Sequence, residues 1–434
     1  MTPRQQDMDT LMKTGWVFRI LAIKMSDIYE HTALTPLRVA HSSGYIDWAS
    51  QPSIFKQYPG FLYRYPLSTN EALTAVKLSR VITSKQQIGS KPYYQLNTPS
   101  AGNLHPLELY VQIRGIKGVI SGIYHVDVLQ DSLVLIREIE KDGIEFSVGL
   151  NEKFNGMIFI LSIVPYRSEW KYGDRGLRYA YLDVGHQIGA IQASAYSQGR
   201  KVTILSEFDT NCLDAQMGFL NQEFSCAVLA MGFATNKPVE KIKLPLMEVA
   251  PTDYCEAKGY ITEQIPSQDV YSTLVKNNHF LVNEKAILQR RSARKFSRNM
   301  IPKAKLEHFM HLTTKITSSQ SWHVVVLQDD CIDAGVYKKG ELSKSGQFSK
   351  EITALLVNQS FLGSASMIVV ITSEQFNANE LMNASVSAHE IHLEAQMMDL
   401  GFTGIGAFYD KRLQSFLQTK EYILYVCAIG SNDL

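Results

Sequence analysis

The stretch that decides the fold is Thr98-Pro99-Ser100-Ala101-Gly102-Asn103-Leu104-His105-Pro106, which leads directly into Leu107-Glu108-Leu109-Tyr110-Val111. Proline and glycine mark a tight loop, and the alternating apolar run after it predicts a strand. A loop anchored to a sheet can surround a polar ligand with backbone N–H groups and short polar side chains. Composition is equally compatible with an ordinary loop before a strand, so other parts of the chain have to distinguish the two.

The bulk properties indicate a globular protein of more than one domain. With 434 residues the chain is too long for one ordinary core, so two domains are expected. The formal net charge of +1 predicts no strong attraction to nucleic acid or to an anionic membrane. The five scattered cysteines indicate neither a disulfide framework nor a metal site. Because neither a signal peptide nor a membrane-spanning stretch is recognisable, a cytoplasmic location is predicted.

One pattern occurs twice along the chain, in the same order. Each copy has a strand-like run after a turn, a buried apolar strand, a long helix containing histidine, and a last apolar strand ending in glycine. The matched segments are 107–111 and 323–327, 157–162 and 367–372, 186–188 and 389–391, and 228–232 and 426–430. We interpret them as a tandem duplication, with domains at 1–236 and 271–434 and a proline-containing linker at 237–270.

Each half has one long helix that is apolar or small on nearly all faces. In the first half, residues 177–195 follow steps of three and four, with Gly185 and Gly189 on the other faces. Residues 384–398 repeat the pattern in the second half. Small residues let a second helix approach closely, so the two helices are expected to pack together and make the chain a single-chain pseudo-dimer. Shorter helices are predicted at 11–29 and at 69–82, the latter opened by a Ser68/Thr69 cap.

Two segments carry residues suited to chemistry. Arg290-Arg291-Ser292-Ala293-Arg294-Lys295-Phe296 suits a phosphate group through charge-assisted hydrogen bonds, and the alternative is a solvated basic helix end. In the first half, about seven additional residues surround Lys171-Tyr172 just before the long helix. Burial that lowers the lysine pKa would make a general acid–base pair, and the alternative is a surface turn capped by Asp174.

These motifs together resemble the nitroreductase-like flavoenzymes. Residues 290–296 resemble the RRSxRxF signature of that superfamily, and 319–325 resemble its SQPWxFVV strand. Residues 99–106, 171–179 and 45–60 are similar to segments of the SagB-type (thiazole/oxazole) peptide dehydrogenases. The resemblance covers nearly the whole chain.

The resemblance implies an α+β fold, in which each of two tandem domains has a central antiparallel sheet flanked by helices and FMN binds in the groove between them. No basic residue follows the last strand, where the family usually has one, and Arg178 or Lys237 is expected to replace it. One groove has the family's motifs and the mirror groove lacks them, so one FMN is expected per chain. The implied cofactor-binding residues are Arg290, Arg291, Ser292 and Arg294 of the second half, Ser100, Gly102, Asn103 and His105 of the first, and Ile405 and Gly406 at the flavin N5 edge.

The function implied by the resemblance is oxidation of an azoline or related peptide-derived substrate by hydride transfer to FMN. Lys171 and Tyr172 match the catalytic pair of the SagB-type branch. Two alternatives stay open: an NAD(P)H-dependent reductase of nitro compounds or quinones, and a non-catalytic flavin-binding scaffold subunit. The expected partner is a small-molecule or peptide substrate, with no nucleic acid and no membrane, and further homo-oligomerisation is left open.

Overall fold

The computed structural model describes residues 25–42, 46–89, 91–220, 222–253, 281–314, 319–327 and 332–432. Most of the helix predicted at 11–29 and linker residues 254–270 lie outside the described residues. We refer to residues up to 253 as the first half and to those from 281 as the second half.

The first half is built on a seven-stranded antiparallel sheet with the strand order β1-β6-β5-β4-β8-β10-β9. The first half as a whole, including strands outside this sheet, contains β1 (Arg64–Pro66), β2 (Ile82–Ile88), β3 (Lys91–Leu96), β4 (Leu107–Arg114), β5 (Gly122–Asp127), β6 (Ser132–Glu138), β7 (Asp142–Gly143), β8 (Glu152–Ile163), β9 (Thr203–Leu205), β10 (Phe224–Pro238) and β11 (Glu240–Lys241). Strands β2 and β3 form a separate hairpin. Its helices are α1 (Met25–Thr32), α2 (Pro36–His41), α3 (Thr74–Ser79), α4 (Pro165–Tyr172), α5 (Gly176–Ser197) and α6 (Thr210–Met217).

The second half is built on a six-stranded antiparallel sheet with the order β14-β13-β12-β15-β17-β16. Its strands are β12 (Gln320–Val326), β13 (Gly335–Lys338), β14 (Glu341–Ser345), β15 (Met367–Ser373), β16 (Leu400–Ile405) and β17 (Tyr422–Ser431). Its helices are α7 (Glu284–Gln289), α8 (Lys303–Thr314), α9 (Ser349–Leu355), α10 (Ala378–Met397) and α11 (Asp410–Leu417). When β1 is left aside, β6-β5-β4-β8-β10-β9 of the first sheet corresponds strand by strand to β14-β13-β12-β15-β17-β16 of the second. The repeated sequence segments occupy equivalent strands. The predicted α+β class with antiparallel sheets is confirmed.

The two long helices α5 and α10 pack against each other, as their small residues predict. A Cβ atom added at Gly185 would lie 2.0 Å from Ser385 Oγ and 2.2 Å from the Met382 carbonyl oxygen. At the same crossing, the Nδ1 atoms of His186 and His389 lie 3.4 Å apart. Only glycine lets the backbones approach this closely, so the packing of the halves depends on these positions.

The helix predicted at 69–82 is shorter in the structure. Two single 3₁₀ turns precede α3, and the side chain of Asn70 accepts a hydrogen bond from the Ala72 amide, so the predicted Ser68/Thr69 cap is wrong. The helix ends at Ser79 because Ile82 already pairs with Leu96 in the β2–β3 hairpin. Among the described residues, no helix is both long and apolar enough to cross a membrane.

Candidate functional site

A cavity of about 1390 Å³ lies where the two halves meet. Ligand sites usually have volumes of roughly 300–1,000 Å³, so there is room for more than one small molecule. Its walls come from seven parts of the chain: 48–57, the β2–β3 hairpin, 98–103, Leu129, Lys171, 250–253 and 290–294. The arginine-rich segment of the second half and the opening loop of the first therefore line the same cavity.

Arg290 joins the two halves at the base of this cavity. Its Nε donates to the Asn97 carbonyl at 2.5 Å and its Nη2 to the Leu96 carbonyl at 3.0 Å. Its Nη1 is buried and has no hydrogen-bond partner among the described residues. An unpaired buried guanidinium nitrogen costs free energy unless an acceptor binds there. Only 3% of Arg290 is exposed, so a solvated basic helix end is the wrong description of this residue.

Arg291 and Arg294 add positive charge next to Arg290. Arg291 donates to the Thr83 carbonyl at 2.7 Å, and Arg294 to Thr403 Oγ1 at 3.2 Å. Among the described residues, no carboxylate forms an ion pair with any of the three arginines. Burial, and after it the neighbouring Arg291, lowers the pKa of Arg290. An anion here would relieve both effects, and the planar donor groups of arginine fit a phosphate.

Ser292 holds this segment to the second sheet. It forms a parallel bridge with Phe402 of β16, and the Ala293 amide donates to the Phe402 carbonyl at 2.8 Å. Ser292 itself lines the cavity. The position of the cationic segment is therefore set by backbone pairing, and rigid support of this kind is what a precise binding site needs.

The opening loop has an unusual backbone. Gly102, Asn103 and His105 have φ values of 63°, 59° and 45°, in the left-handed region that only glycine adopts without strain. The Asn103 side chain donates to the Tyr94 carbonyl at 2.8 Å, which helps to hold this conformation. Ser100, Gly102 and Asn103 line the cavity.

His105 lies behind the loop and does not line the cavity. Its ring is 3.0 Å from Asn103 Oδ1, stacks on Phe55 with a centroid distance of 5.8 Å, and is 3% exposed. Burial, together with the nearby Arg80, lowers the pKa of His105 to about 3, so the ring is neutral at ordinary pH. His105 therefore supports Asn103, whereas direct contact with a cofactor was expected from the sequence.

Asp183 is a residue of the site that sequence reasoning missed. It lies on α5 under the loop, where Ser100 Oγ donates to its Oδ2 at 2.5 Å. Burial raises the pKa of Asp183 to about 8, so its carboxyl group is largely protonated at neutral pH. The single carboxylate of a long helix made mostly of apolar and small residues was the available signal.

Lys171 and Tyr172 lie at the end of α4, against the opening loop. A Cβ atom added at Gly102 would be 2.5 Å from Tyr172 Oη and 3.3 Å from Lys171 Nζ. Lys171 lines the cavity, and burial lowers its pKa. Burial, and after it Tyr179, raises the pKa of Tyr172. The alternative of a surface turn capped by Asp174 is wrong, because the pair is helical and Asp174 instead lies 2.6 Å from the ring of His31.

Ile405 and Gly406 lie at the end of β16 and do not line the cavity. The Gly406 carbonyl accepts hydrogen bonds from Arg175 Nη2 at 2.9 Å and from Tyr179 Oη at 3.1 Å. Tyr179 in turn packs edge-on against Tyr172 at 4.8 Å. This strand end is thus connected to the cavity through two tyrosine rings.

Neither Arg178 nor Lys237 lines the cavity. Arg178 donates to Asp410 Oδ1 and to the Tyr29 carbonyl, both at 2.6 Å, and is buried away from the cavity. Lys237 is exposed near the end of β10. The expectation that one of them completes a phosphate site is wrong, since the guanidinium of Arg178 is fully engaged by its own partners.

Comparison with known proteins assigns the chain to a family. The nitroreductase family model matches residues 287–431. A Methanocaldococcus jannaschii protein assigned as a nitroreductase is 31% identical over 143 residues, which are 32% of this chain and 71% of that protein. A crystal structure from Anabaena variabilis, also assigned as a nitroreductase, superimposes with a TM-score of 0.76 at 20% identity and covers 94% of this chain and 99% of that one. A chain of the E. coli microcin synthetase complex overlaps 48% of this chain and 87% of its own length, with a TM-score of 0.31 and 14% identity. The resemblance noted in the sequence is confirmed at the level of the family: the chain belongs to the nitroreductase family.

Proposed function

We propose that this protein is an FMN-dependent oxidoreductase that binds one FMN in the cavity between its halves. One observation carries the proposal: the arginine-rich segment and the opening loop, 185 or more residues apart in the sequence, line a single cavity. The donor set fits the cofactor. Three arginines without carboxylate partners in the described residues suit its phosphate, and the buried Nη1 of Arg290 is a donor in need of an acceptor.

Different residues would bind different parts of the cofactor. Arg290, Arg291 and Arg294 would hold the phosphate with Ser292, while Ser100, Gly102 and Asn103 would contact the rest of the molecule. When bound, FMN supplies the hydride-transfer chemistry, and the protein orients the cofactor and the substrate and accepts or donates protons. Gly102 has no side chain and a left-handed backbone, so Tyr172 Oη and Lys171 Nζ can lie directly against the loop that would contact the cofactor.

The finer proposal is a SagB-type dehydrogenase that oxidises an azoline or related substrate. Converting an azoline to an azole removes one hydride and one proton, so a base is needed for the proton. Lys171 is suited to this role because burial lowers its pKa and raises the share of neutral amine near neutral pH. Tyr172, whose Oη lies next to the same Gly102 position, would orient the lysine and the substrate.

The first experiment is the visible spectrum of the purified protein, with flavin quantified per chain. We expect a yellow protein with about one FMN per chain after saturation. The variant Arg290→Met should lose most of this flavin, while Lys411→Met, which removes an exposed lysine far from the cavity, should retain it. A protein that takes up no FMN from solution would refute the cofactor assignment.

The second experiment tests the catalytic pair. Lys171→Ala should remain yellow and lose azoline oxidation, with a decrease in kcat of about 100-fold or more, as expected for loss of a general base. An unchanged kcat in that variant would exclude the SagB-type mechanism.

A nitro or quinone reductase is the second candidate, because the sequence-matched relative is assigned as a nitroreductase. Rapid bleaching of the flavin by NAD(P)H, followed by turnover with a nitro compound that does not depend on Lys171, would favour it.

A further inference from the structure

The cavity is also lined by apolar side chains of the first half, which belong to segments separate from the arginine-rich one. We define the outer subsite by six lining residues: Trp48, Pro52, Ile54, Ile88, Pro92 and Leu129. Three of them are large apolar side chains that remain exposed, with Trp48 at 55%, Ile88 at 58% and Leu129 at 39%. Large apolar side chains left exposed around one cavity mouth are typical of a binding surface.

The volume of the cavity points in the same direction. At about 1390 Å³ it exceeds the roughly 1,000 Å³ upper range of common small-molecule sites. The cationic side accounts for the proposed cofactor, which leaves the outer subsite for another molecule. The residues of the outer subsite lie outside 287–431, the part of the chain that matches the family model, so they are features of this chain's first half.

The indole ring of Trp48 is held in place although it is exposed. It packs edge-on against Trp170 with a centroid distance of 5.5 Å, and Lys171 Nζ lies 5.5 Å from its centroid. Lys91 Nζ donates to the Trp48 carbonyl at 2.9 Å, and Trp170 Nε1 donates to Ser50 Oγ at 3.1 Å. A flat ring fixed in advance loses little conformational entropy when a ligand binds to it.

We propose that the outer subsite binds a planar aromatic group of the substrate and that Trp48 is the residue that selects for it. The contacts that hold the indole leave more than half of its surface open for such a group to stack on. The proximity of Lys171 links the two sites, because a substrate held at Trp48 lies next to the amine proposed as the base. This inference rests on the proposed function, since it assumes that the reacting part of the substrate faces the cationic half of the cavity.

The test uses naphthalene-2-carboxamide, a neutral aromatic probe without a redox role, titrated by calorimetry into the FMN-saturated protein and into the protein without added FMN. Trp48→Ala should weaken binding about tenfold, the size expected for one lost aromatic contact. Trp48→Phe should restore most of the affinity, since it returns a flat ring. Phe233→Ala, which removes another exposed aromatic side chain that does not line the cavity, should leave binding unchanged.

The outcomes separate this inference from the proposed function. A probe that binds with the same affinity to the wild type and to Trp48→Ala, or that does not bind the wild type at all, overturns the outer subsite. Failure to take up FMN overturns the cofactor assignment, and the titration without added FMN still decides whether Trp48 binds the aromatic probe. An equal loss of affinity in Phe233→Ala would assign the effect to general destabilisation and would also refute the proposal.

Discussion

Substituting Gly102 by alanine tests the relation between the opening loop and the catalytic pair. The new Cβ would lie 2.5 Å from Tyr172 Oη, whereas ordinary contacts begin at 3.4 Å, so the tyrosine has to move by 3.4 − 2.5 = 0.9 Å. Lys171 Nζ, at 3.3 Å, is already close to ordinary contact distance, so the displacement falls mainly on Tyr172. Misplacement of reacting groups by about 1 Å costs on the order of 100-fold in rate, so we expect kcat to fall by about that factor.

The left-handed backbone of Gly102 adds a cost in stability of about 1–2 kcal/mol, which has to be separated from the effect on kcat. Gly199 is the matched control, because its φ of +66° is close to the +63° of Gly102 and no atom lies within 4 Å of its added Cβ. Gly199→Ala should lose similar stability in urea denaturation but keep the wild-type kcat. If Gly102→Ala retains kcat within threefold of the wild type, the proposed role of the loop in positioning Lys171 and Tyr172 is refuted.

Three further predictions concern buried groups. Gly185→Ala should lower the free energy of unfolding, measured by urea denaturation, by more than 2 kcal/mol, whereas the same substitution in an exposed helix raises it by up to about 1 kcal/mol. A more stable variant would contradict the observed helix crossing. Lys56→Met should lower the free energy of unfolding by about 3–5 kcal/mol, because Glu223 then stays buried without the cation that lies 2.7 Å from it. Lys411→Met, in an exposed ion pair, should lower it by less than about 1 kcal/mol, and equal losses in the two variants would contradict the prediction. Asp183 has a raised pKa of about 8, so its stabilising contribution is present below pH 4 and is lost as the pH rises to 8. Asp183→Asn should therefore become more stable relative to the wild type over that range, and stabilities of the two proteins that change in parallel with pH would refute this.

Much of the fold was predictable because it follows from local patterns. The alternating and apolar runs at 107–111, 157–162 and 367–372 all became sheet strands, since burial on one or both faces specifies a strand at short range. The hairpin at 82–96 was not predicted. Its partly exposed strands carry no clear alternation, and two of their carbonyl groups accept hydrogen bonds from Arg290 and Arg291 of the other half.

The candidate site was predictable only in part. The residues of Ser100–Asn103 and Arg290–Arg294 indicated a polar ligand because they supply hydrogen-bond donors, but their composition fitted an ordinary loop and a solvated helix end equally well. Asp183 and Trp48 were missed as members of the site. The first lies on a helix whose pattern otherwise describes a core, and the second lies in an irregular segment whose neighbours in space cannot be read from its neighbours in sequence.

The residue pattern determined which segments form strands, which helices are buried and where positive charge is concentrated along the chain, because these properties depend on residues within a few positions of one another. The tertiary structure decided that Arg290 bonds to carbonyls nearly 200 positions earlier, that Lys171 faces the opening loop, and that His105 stays behind it. The contact of Arg290 joins the two halves, which approach each other closely where α5 and α10 pack at Gly185. A distance of this kind results from side-chain volumes on both helices together, and no single stretch of sequence contains it.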